Sequence, residues 1–264
     1  MLAASDSATF PVEPIPPRHS TWPYTDTDFK RQDKSADSGF YSSPRFETHI
    51  DDTAISQLRK YYDQNLPTKG RILDFCSSWL SHYPAPVEDA AKKGDLIVVG
   101  HGMNKAELDA NEVLTDAEGG KILRDLNQKP KLPSRIARIG GGPEGLDAAT
   151  CVVSIDYLTD PVSVLKSLWD LMKPGAKVHL AISNRCFPTK IITRWLQVDE
   201  RERLKMVGDF LHFAGWKEVE IVDLNKTEDS QPGGRRPSAF MVRMRSMGKA
   251  GNDPIWIVRA TKEE

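Results

Sequence analysis

Small polar residues stand where two apolar runs of the sequence end. The run 72–75 leads into Cys76-Ser77-Ser78, and the run 96–99, rich in β-branched residues, leads into Gly100-His101-Gly102. The roughly twenty residues between the runs are enough for a crossover helix, so the runs predict a βαβ unit. In an open α/β sheet a ligand binds at the carboxyl ends of the strands, beside the topological switch point. The residues that this places at the ligand edge are Asp74, Ser77, Ser78, Gly100, Met103 and Asn104.

Later apolar runs bring more polar groups to the same edge. A third strand is predicted to end at Asp125, and a fourth to end near Ser154, just before Asp156 and Tyr157. Asp156 and Tyr157 are candidates to take a proton from a substrate at neutral pH. The alternative is that both side chains only cap and pack the turn after the strand.

Two further segments are candidates for contact with a substrate. A fifth strand leads into Asn184 and Arg185, which would hold a polar or anionic molecule unless Arg185 pairs with a neighbouring carboxylate. The segment before the first predicted helix carries Tyr41 and Arg45, with Phe40 and His49 beside them. Because a helix directly before the first strand packs near the mouth of such a site, we expect these side chains at the entrance.

The elements that must position these groups alternate between strands and helices. Asp51 or Asp52 can cap one helix, Asn104 a second, and Asp160-Pro161 starts a third with Asp at the N-cap and Pro at the first helical position. Strands and helices alternate five times, and the chain ends in two strands with no helix between them. The pattern predicts an α/β fold: a Rossmann-like, doubly wound sheet, mostly parallel, of seven strands with an antiparallel C-terminal edge strand.

The composition changes along the chain and predicts the domain organisation. Residues 1–38 are rich in Pro, Ser, Thr and Asp and predict a flexible N-terminal tail, unless Trp22 and Tyr24 anchor it over the ligand cleft as a lid. Residues 39–264 form the α/β domain, with a long polar loop at 225–253 before the last strand. The arginines of this loop either bind phosphate or face solvent; they are Arg235, Arg236, Arg243 and Arg245.

Charge, hydropathy and cysteine usage exclude several classes of protein. The sequence has 264 residues with Lys+Arg 36 and Asp+Glu 37, a net charge of -1, which argues against a dedicated nucleic-acid binder. The sequence contains no run of eighteen apolar residues, so no membrane span is predicted. The first residues resemble neither a signal peptide nor a transit peptide. Three cysteines, far apart and odd in number, predict a reducing compartment. We therefore expect a cytoplasmic location, with nucleus or organelle left open.

Two other motifs do not support a site. Cys76, His82 and His101 do not form the group of three or four ligands that a metal site requires, so no metal is predicted. The stretch 140–145 has the G-x-G-x-x-G spelling of a dinucleotide loop, but such a loop must open a helix. Here the stretch leads into an apolar strand, which argues against a dinucleotide site.

The stretch 147–183, DAATCVVSIDYLTDPVSVLKSLWDLMKPGAKVHLAIS, resembles class I S-adenosylmethionine-dependent methyltransferases. It has their order of a strand, a short polar turn, Asp-Pro, a helix, and a Leu-x-Lys-Pro-Gly turn into the next strand. The resemblance covers about residues 40–262. The first motif, DFCSSW, departs from the family because Cys76-Ser77-Ser78-Trp79 replaces its glycine-rich turn.

The resemblance implies a cofactor, S-adenosylmethionine, and gives roles to residues. Asp74 matches the acid of the first strand, and Asp125-Leu126 matches the position that takes the adenine amino group. Ser154 matches the turn beside the transferred methyl group, and Met103 would pack on the adenine. The acid that holds the ribose hydroxyls after the second strand has no counterpart; its loss costs roughly 1.5–3 kcal/mol unless Asn104 or His101 replaces part of the interaction.

Two functions are implied by the resemblance. The first is methyl transfer from S-adenosylmethionine to a small or medium acceptor molecule. No membrane partner is expected, and the charge balance argues against nucleic acid as a partner. The second is a non-catalytic methyltransferase-fold protein that acts as a partner or regulatory subunit, which the divergent cofactor motifs suggest. The residues implied for the cofactor are Asp74, Ser77, Ser78, Gly100, Met103, Asn104, Asp125, Leu126 and Ser154; those for the acceptor are Tyr41, Arg45, Asn184 and Arg185, with Asp156 and Tyr157 as catalytic candidates.

Overall fold

The structure is a computed structural model that describes residues 10–226 and 252–263. The arginines at 235–245, and with them the phosphate-binding alternative, lie outside the described residues. The strands are β1 (Val12–Pro14), β2 (Gly70–Phe75), β3 (Leu96–Gly102), β4 (Lys121–Leu123), β5 (Leu146–Val152), β6 (Met172–Ser183), β7 (Lys217–Asp223) and β8 (Ile255–Thr261). The helices are α1 (Asp37–Phe40), α2 (Asp52–Asn65), α3 (Ala85–Lys93), α4 (Lys105–Ala110), α5 (Pro161–Leu171), α6 (Thr193–Gln197) and α7 (Glu200–Phe213).

The described strands form a sheet in the order β1-β7-β8-β6-β5-β2-β3-β4. Strands β6, β5, β2, β3 and β4 are parallel to one another, while β8 runs antiparallel to both β6 and β7. The chain leaves β2 in one direction toward β3 and β4 and returns to its other side as β5, so the topological switch point lies between β2 and β5. The predicted doubly wound, mostly parallel α/β sheet is confirmed. The last strand, β8, is antiparallel as predicted, but it lies between β6 and β7 rather than at the edge of the sheet.

Buried side chains cover both faces of this sheet. Ile72 of β2 belongs to one apolar cluster, and Leu73 and Phe75 belong to the other, because successive side chains of a strand point to opposite faces. On α5 the buried residues recur at helical spacing; they are Val164, Leu165, Leu168 and Leu171. A sheet with both faces covered leaves only its edges and strand ends for a ligand.

Three predicted helix starts are confirmed at the level of single hydrogen bonds. The side chain of Asp51 accepts from Ala54 N–H at 2.8 Å, and that of Asp160 accepts from Ser163 N–H at 3.1 Å. The Asn104 side chain accepts from the backbone N–H three residues later, at 3.2 Å. Each bond satisfies one of the N–H groups that the first turn of a helix leaves without a partner.

The described part of the predicted tail is built into the domain. Strand β1 pairs antiparallel with β7 and gives the sheet its eighth strand, one more than predicted. Arg18 Nη2 donates to Asp209 Oδ2 at 2.6 Å, and Tyr24 Oη donates to the same oxygen at 2.6 Å. The Trp22 ring lies 5.2 Å from that of Phe213 between centroids. Trp22 and Tyr24 therefore anchor the segment on α7 rather than over a ligand cleft, which corrects the lid interpretation.

The glycine-rich stretch 140–145 encloses an arginine side chain. Arg71, 3% exposed, donates hydrogen bonds to the carbonyl oxygens of five residues, Ala137, Ile139, Gly141, Pro143 and Gly145. Gly140, Gly141 and Gly142 all have φ between 77° and 80°, a conformation that glycine adopts without steric cost. As predicted, the stretch leads into a strand, here β5. It places backbone carbonyls, which accept hydrogen bonds, around the guanidinium.

Within the described residues, no helix is both long enough and apolar enough to cross a bilayer. Cys76, Cys151 and Cys186 are all free thiols. The cytoplasmic location stays a prediction.

Candidate functional site

A cavity of about 310 Å³ opens at the carboxyl ends of the parallel strands. Its wall is formed by the turn after β2, the end of β3 with α4, the segment after β4 and the turn after β5, and it is completed by two segments, 37–50 and 185–187. The cavity therefore lies at the switch point, where an open α/β sheet binds its ligand.

Asp74 is the polar centre of the wall formed by β2. It is 2% exposed, and hydroxyl groups of Ser77, Ser81 and Thr150 donate to its carboxylate at 2.6, 2.7 and 3.0 Å. Burial raises the pKa of Asp74 to about 6, and the three hydroxyl groups oppose that rise. The carboxylate thus fixes the conformation of the turn after β2 by accepting these hydrogen bonds.

The turn itself has a strained first residue. Cys76 has φ 54°, in the left-handed region that costs a non-glycine residue free energy. The Cys76 N–H donates to His101 Nδ1 at 3.3 Å, and the Ser77 N–H donates to the His101 carbonyl at 2.7 Å. Hydrogen bonds to the next strand therefore hold a conformation that glycine would adopt without cost.

A thiol pair and a histidine meet behind this turn. A hydrogen bond from Cys151 and one involving His101 lower the pKa of Cys76 to about 6, although burial opposes the shift. Burial and the Cys76 partner raise the pKa of Cys151. His101, 1% exposed, lines the cavity, and its buried Nε2 has no hydrogen-bond partner among the described residues. A buried polar atom without a partner calls for a structural or functional reason.

The segment after β4 forms the opposite wall. Asp125 Oδ1 accepts from the Asn127 N–H at 2.8 Å, a short local turn of the Asx type. The Asn127 side chain donates to Asp37 Oδ2 at 2.9 Å and to the Tyr157 carbonyl at 3.0 Å. One amide therefore fixes this wall to the 37–50 segment and to the turn after β5.

The outer part of the cavity is aromatic. The Arg45 guanidinium carbon lies 4.5 Å from the ring centroid of Phe40 and 5.4 Å from that of Phe187. The Phe187 N–H donates to Tyr157 Oη at 2.7 Å, and burial raises the pKa of Tyr157 well above its usual value. Burial lowers the pKa of His82 to about 4, so this cavity-lining imidazole is neutral at pH 7.

Comparison with known proteins shows what fold carries this cavity. No protein-family model matches the sequence, and no curated protein matches it. Among solved structures, a chain from the complex of the Haloferax volcanii Trm112 methyltransferase activator with a methyltransferase superposes with a TM-score of 0.50 at 13% identity, covering 81% of this chain and 92% of that one. The chain has the class I methyltransferase fold.

Other methyltransferases with solved structures are similar at the same low identity. An Archaeoglobus fulgidus S-adenosylmethionine-dependent methyltransferase gives a TM-score of 0.48 at 14% identity, covering 80% of this chain and 94% of that one. Haemonchus contortus phosphoethanolamine N-methyltransferase 2, solved with S-adenosylmethionine, gives 0.46 at 13% identity and covers 80% of this chain. The chain spans about half of that protein, 52% of its length.

Within the methyltransferase fold, most residues predicted from the sequence meet in the one cavity. Eleven of them line its wall: Tyr41, Arg45, Asp74, Ser77, Ser78, Met103, Asp125, Leu126, Ser154, Tyr157 and Arg185. They come from four strand ends and two outer segments. Arg185 also pairs with Asp253, with Nε and Oδ1 2.7 Å apart, so the predicted alternative of a carboxylate partner is present as well.

Four predicted residues are not on the cavity wall. Gly100 faces the core, since a Cβ there would lie 2.3 Å from Leu114 Cδ1. The Asn104 side chain is used as the cap of α4 and in a hydrogen bond to the Tyr41 carbonyl at 2.9 Å. Asp156 is buried behind the turn, 3% exposed, and Asn184 is exposed on the surface. The turn after β5 thus presents Tyr157 to the cavity and keeps Asp156 in the interior.

Sequence reasoning missed several side chains of the wall, among them Glu107, Asn127 and Phe187. Glu107 stands three residues after the capping Asn104, where a capping-box pattern places an acid in the first turn of a helix. That spacing was visible in the sequence and could have identified it. Nothing local marks Asn127 or Phe187, because their partners are 30 or more positions away in the chain.

Proposed function

We propose that the protein transfers a methyl group from S-adenosylmethionine to a small or medium acceptor molecule. One observation carries the proposal: a single cavity at the switch point gathers the Asp74–Ser78 turn, Met103, Asp125-Leu126 and Ser154 from four separate strand ends. These are the positions to which the sequence resemblance gives the methionine, adenine and methyl-group roles. The methyltransferase fold of the chain supports the same assignment.

The residues present fit such a cofactor. His101 lines the cavity together with the Ser77-Ser78 turn, and its buried Nε2 has no partner among the described residues. Asp125 Oδ1 is used in a local hydrogen bond, and a carboxylate oxygen pair can accept further bonds, as an adenine amino group requires. Ser77, Ser78 and His101 would hold the methionine part, and Met103, Asp125 and Leu126 the adenine.

The protein's own task in methyl transfer is to position and desolvate. When bound, S-adenosylmethionine would supply an electrophilic methyl group on a sulfonium, which an acceptor attacks in line with the carbon–sulfur bond that breaks, leaving S-adenosylhomocysteine. The aromatic side chains of Tyr41, Tyr157 and Phe187 line the outer cavity and would shield a bound acceptor from water. Tyr157 stays a neutral phenol because burial raises its pKa, and it can orient an acceptor by hydrogen bonding. His82, neutral at pH 7, can accept a hydrogen bond from the acceptor molecule.

A second candidate function is that of a non-catalytic partner subunit. The observation that favours it is the end of β3, where Gly102 leaves no side chain to hold a ribose. The strained, non-glycine turn at Cys76 points the same way. This protein would keep the fold and bind the cofactor weakly or not at all.

Isothermal titration with S-adenosylmethionine and S-adenosylhomocysteine separates the two functions. We expect micromolar binding by the wild type and no detectable binding by Asp125→Ala. Asp116→Ala is the matched control, because Asp116 is an exposed acid that pairs with Lys121 and is not part of the cavity wall. Wild-type protein that binds neither compound at millimolar concentration would support the partner subunit instead. Unchanged binding by Asp125→Ala would remove Asp125 from the site.

A further inference from the structure

The end of β3 cannot carry the acid that the resemblance assigns to the ribose. Gly102 is the last residue of β3, and a Cβ built on it would lie 2.5 Å from the backbone carbonyl oxygen of Ser77. Real Cβ atoms do not approach a backbone oxygen so closely, and a backbone atom cannot rotate away as a side chain can. Any residue but glycine would therefore displace the turn after β2, so a ribose partner cannot come from position 102.

Another carboxylate reaches the same wall from one turn further along the chain. Glu107 lies on α4, is 8% exposed and lines the cavity. Its Oε2 accepts from Ser78 Oγ at 2.6 Å, and its Oε1 accepts from the Arg45 N–H at 2.8 Å. It lies four residues after Met103 in the sequence and beside Ser78 in space.

We propose that Glu107 binds the 2′- and 3′-hydroxyl groups of the cofactor ribose in place of the missing strand-end acid. The inference rests on the proposed function and names a residue for it. Each oxygen of Glu107 takes one of the hydrogen bonds above, and an ionised carboxylate oxygen has room for a second. A vicinal diol supplies two O–H donors, one for each oxygen.

The other carboxylates of the cavity are less suited to this role. Asp74 already accepts from three hydroxyl groups. Asp37 is bound by Arg31 and Asn127, with Arg31 Nη1 at 2.8 Å from its Oδ2. Glu47 is exposed to solvent. Glu107 is buried, and the donors that its carboxylate oxygens have as partners, a hydroxyl and a backbone N–H, are both neutral. A buried carboxylate without a cationic partner is stabilised by additional hydrogen-bond donors.

The experiment is a titration of the full chain with S-adenosylhomocysteine and with its 2′,3′-dideoxy analogue. We expect the wild type to bind S-adenosylhomocysteine roughly 10- to 100-fold more tightly than the analogue, the usual range for hydrogen bonds to a charged group. Glu107→Gln should lose most of that preference and bind the analogue as the wild type does. Asp109→Asn, which changes an exposed acid of the same helix paired with Lys105, should behave as the wild type.

Three results would overturn the inference. Glu107→Gln that keeps the wild-type preference shows that Glu107 does not contact the hydroxyl groups. Equal losses for both compounds show that Glu107 only ties Ser78 to Arg45. Wild type that binds neither compound removes the proposed function itself, a different failure from the first two. If Glu107→Gln does not fold, Glu107→Asp keeps the charge, withdraws it by one methylene, and should lose part of the preference.

Discussion

Asp156 should make the protein less stable as the pH rises, and Asp156→Asn should abolish that effect. Asp156 is 3% exposed, and its Oδ1 has no hydrogen-bond partner among the described residues. Burial raises the pKa of this carboxyl from 3.8 to about 8. The folded protein therefore binds the proton more tightly than the unfolded chain does. Asparagine has the size of the protonated acid and cannot ionise.

The magnitude follows from the two pKa values. Below pH 4 Asp156 is protonated in both states and imposes no penalty. Between about pH 4 and pH 8 only the unfolded chain loses the proton, so the free energy of unfolding falls by about 1.4 kcal/mol per pH unit. Over about four units the loss is on the order of 5 kcal/mol, comparable to the whole stability of many domains. The raised pKa of Asp74 adds a similar decline that ends near pH 6.

The assay is urea unfolding of wild type and Asp156→Asn, followed by circular dichroism between pH 5 and pH 8.5. The quantity to plot is the difference between the two free energies of unfolding, because titrations that both proteins share cancel. One of these is the titration of Asp74, whose raised pKa makes stability fall with pH up to about 6. We expect the difference to grow in favour of Asp156→Asn by about 1.4 kcal/mol per pH unit up to about pH 7 and to level off above pH 8.

Asp170→Asn, which changes an exposed acid of α5, is the matched control and should show no such slope. A difference that stays flat with pH, or an Asp156→Asn protein that loses stability relative to wild type as the pH rises, would refute the reasoning. Either result would mean that Asp156 is ionised in the folded protein, and its role as a catalytic base would then have to be considered again.

Three further predictions concern single side chains. The rate at which iodoacetamide alkylates Cys76 should have a pH midpoint near 6, and S-adenosylhomocysteine should slow the reaction. Mass spectrometry should find no adduct at this site in the control Cys76→Ser, and a midpoint near 9 would contradict the lowered pKa. Arg71→Lys should lower the free energy of unfolding, measured by urea titration, by about 3 kcal/mol, because an ammonium cannot reach five carbonyl groups. Each carbonyl group left without a partner costs about 1–3 kcal/mol, and a total change below about 1 kcal/mol would contradict this prediction. Lys190→Met should lower the free energy of unfolding by about 3–5 kcal/mol and make the 31–50 segment susceptible to limited proteolysis, because the fully buried Lys190 binds Asp33 and Asp37 at 3.0 and 3.3 Å. Unchanged cleavage would show that other contacts hold the segment.

The sequence predicted the framework of the site because strand ends are local features. The apolar run that ends at Cys76 and the cap at Asn104 need only near neighbours to be recognised, and both are found where the pattern predicts. Parallel strands then bring their ends to one edge, whatever the rest of the chain does. That is why Asp74, Asp125 and Ser154 reach one cavity although up to 80 positions separate them.

The direction of individual side chains was predicted less well. Asp156 and Tyr157 are adjacent in the sequence, yet only Tyr157 reaches the cavity. Both belong to a short 3₁₀ turn after β5, in which neighbouring side chains point in different directions. The composition of residues 10–38 suggested a tail, whereas Arg18 and Tyr24 bind a buried carboxylate on α7 nearly two hundred positions away. A polar, proline-rich segment can pack in this way when the rest of the domain supplies its partners.

The sequence by itself determined the order of strands and helices from α2 onward, the α/β class and the edge at which a ligand would bind, since periodicity and capping are properties of neighbouring residues. Tertiary structure alone decided which carboxylate faces that edge. Gly102 is excluded from carrying an acid by a carbonyl group from another strand's turn, and Glu107 reaches the cavity because α4 packs there. Both facts depend on atoms that the chain brings together only on folding, and no local pattern contains them.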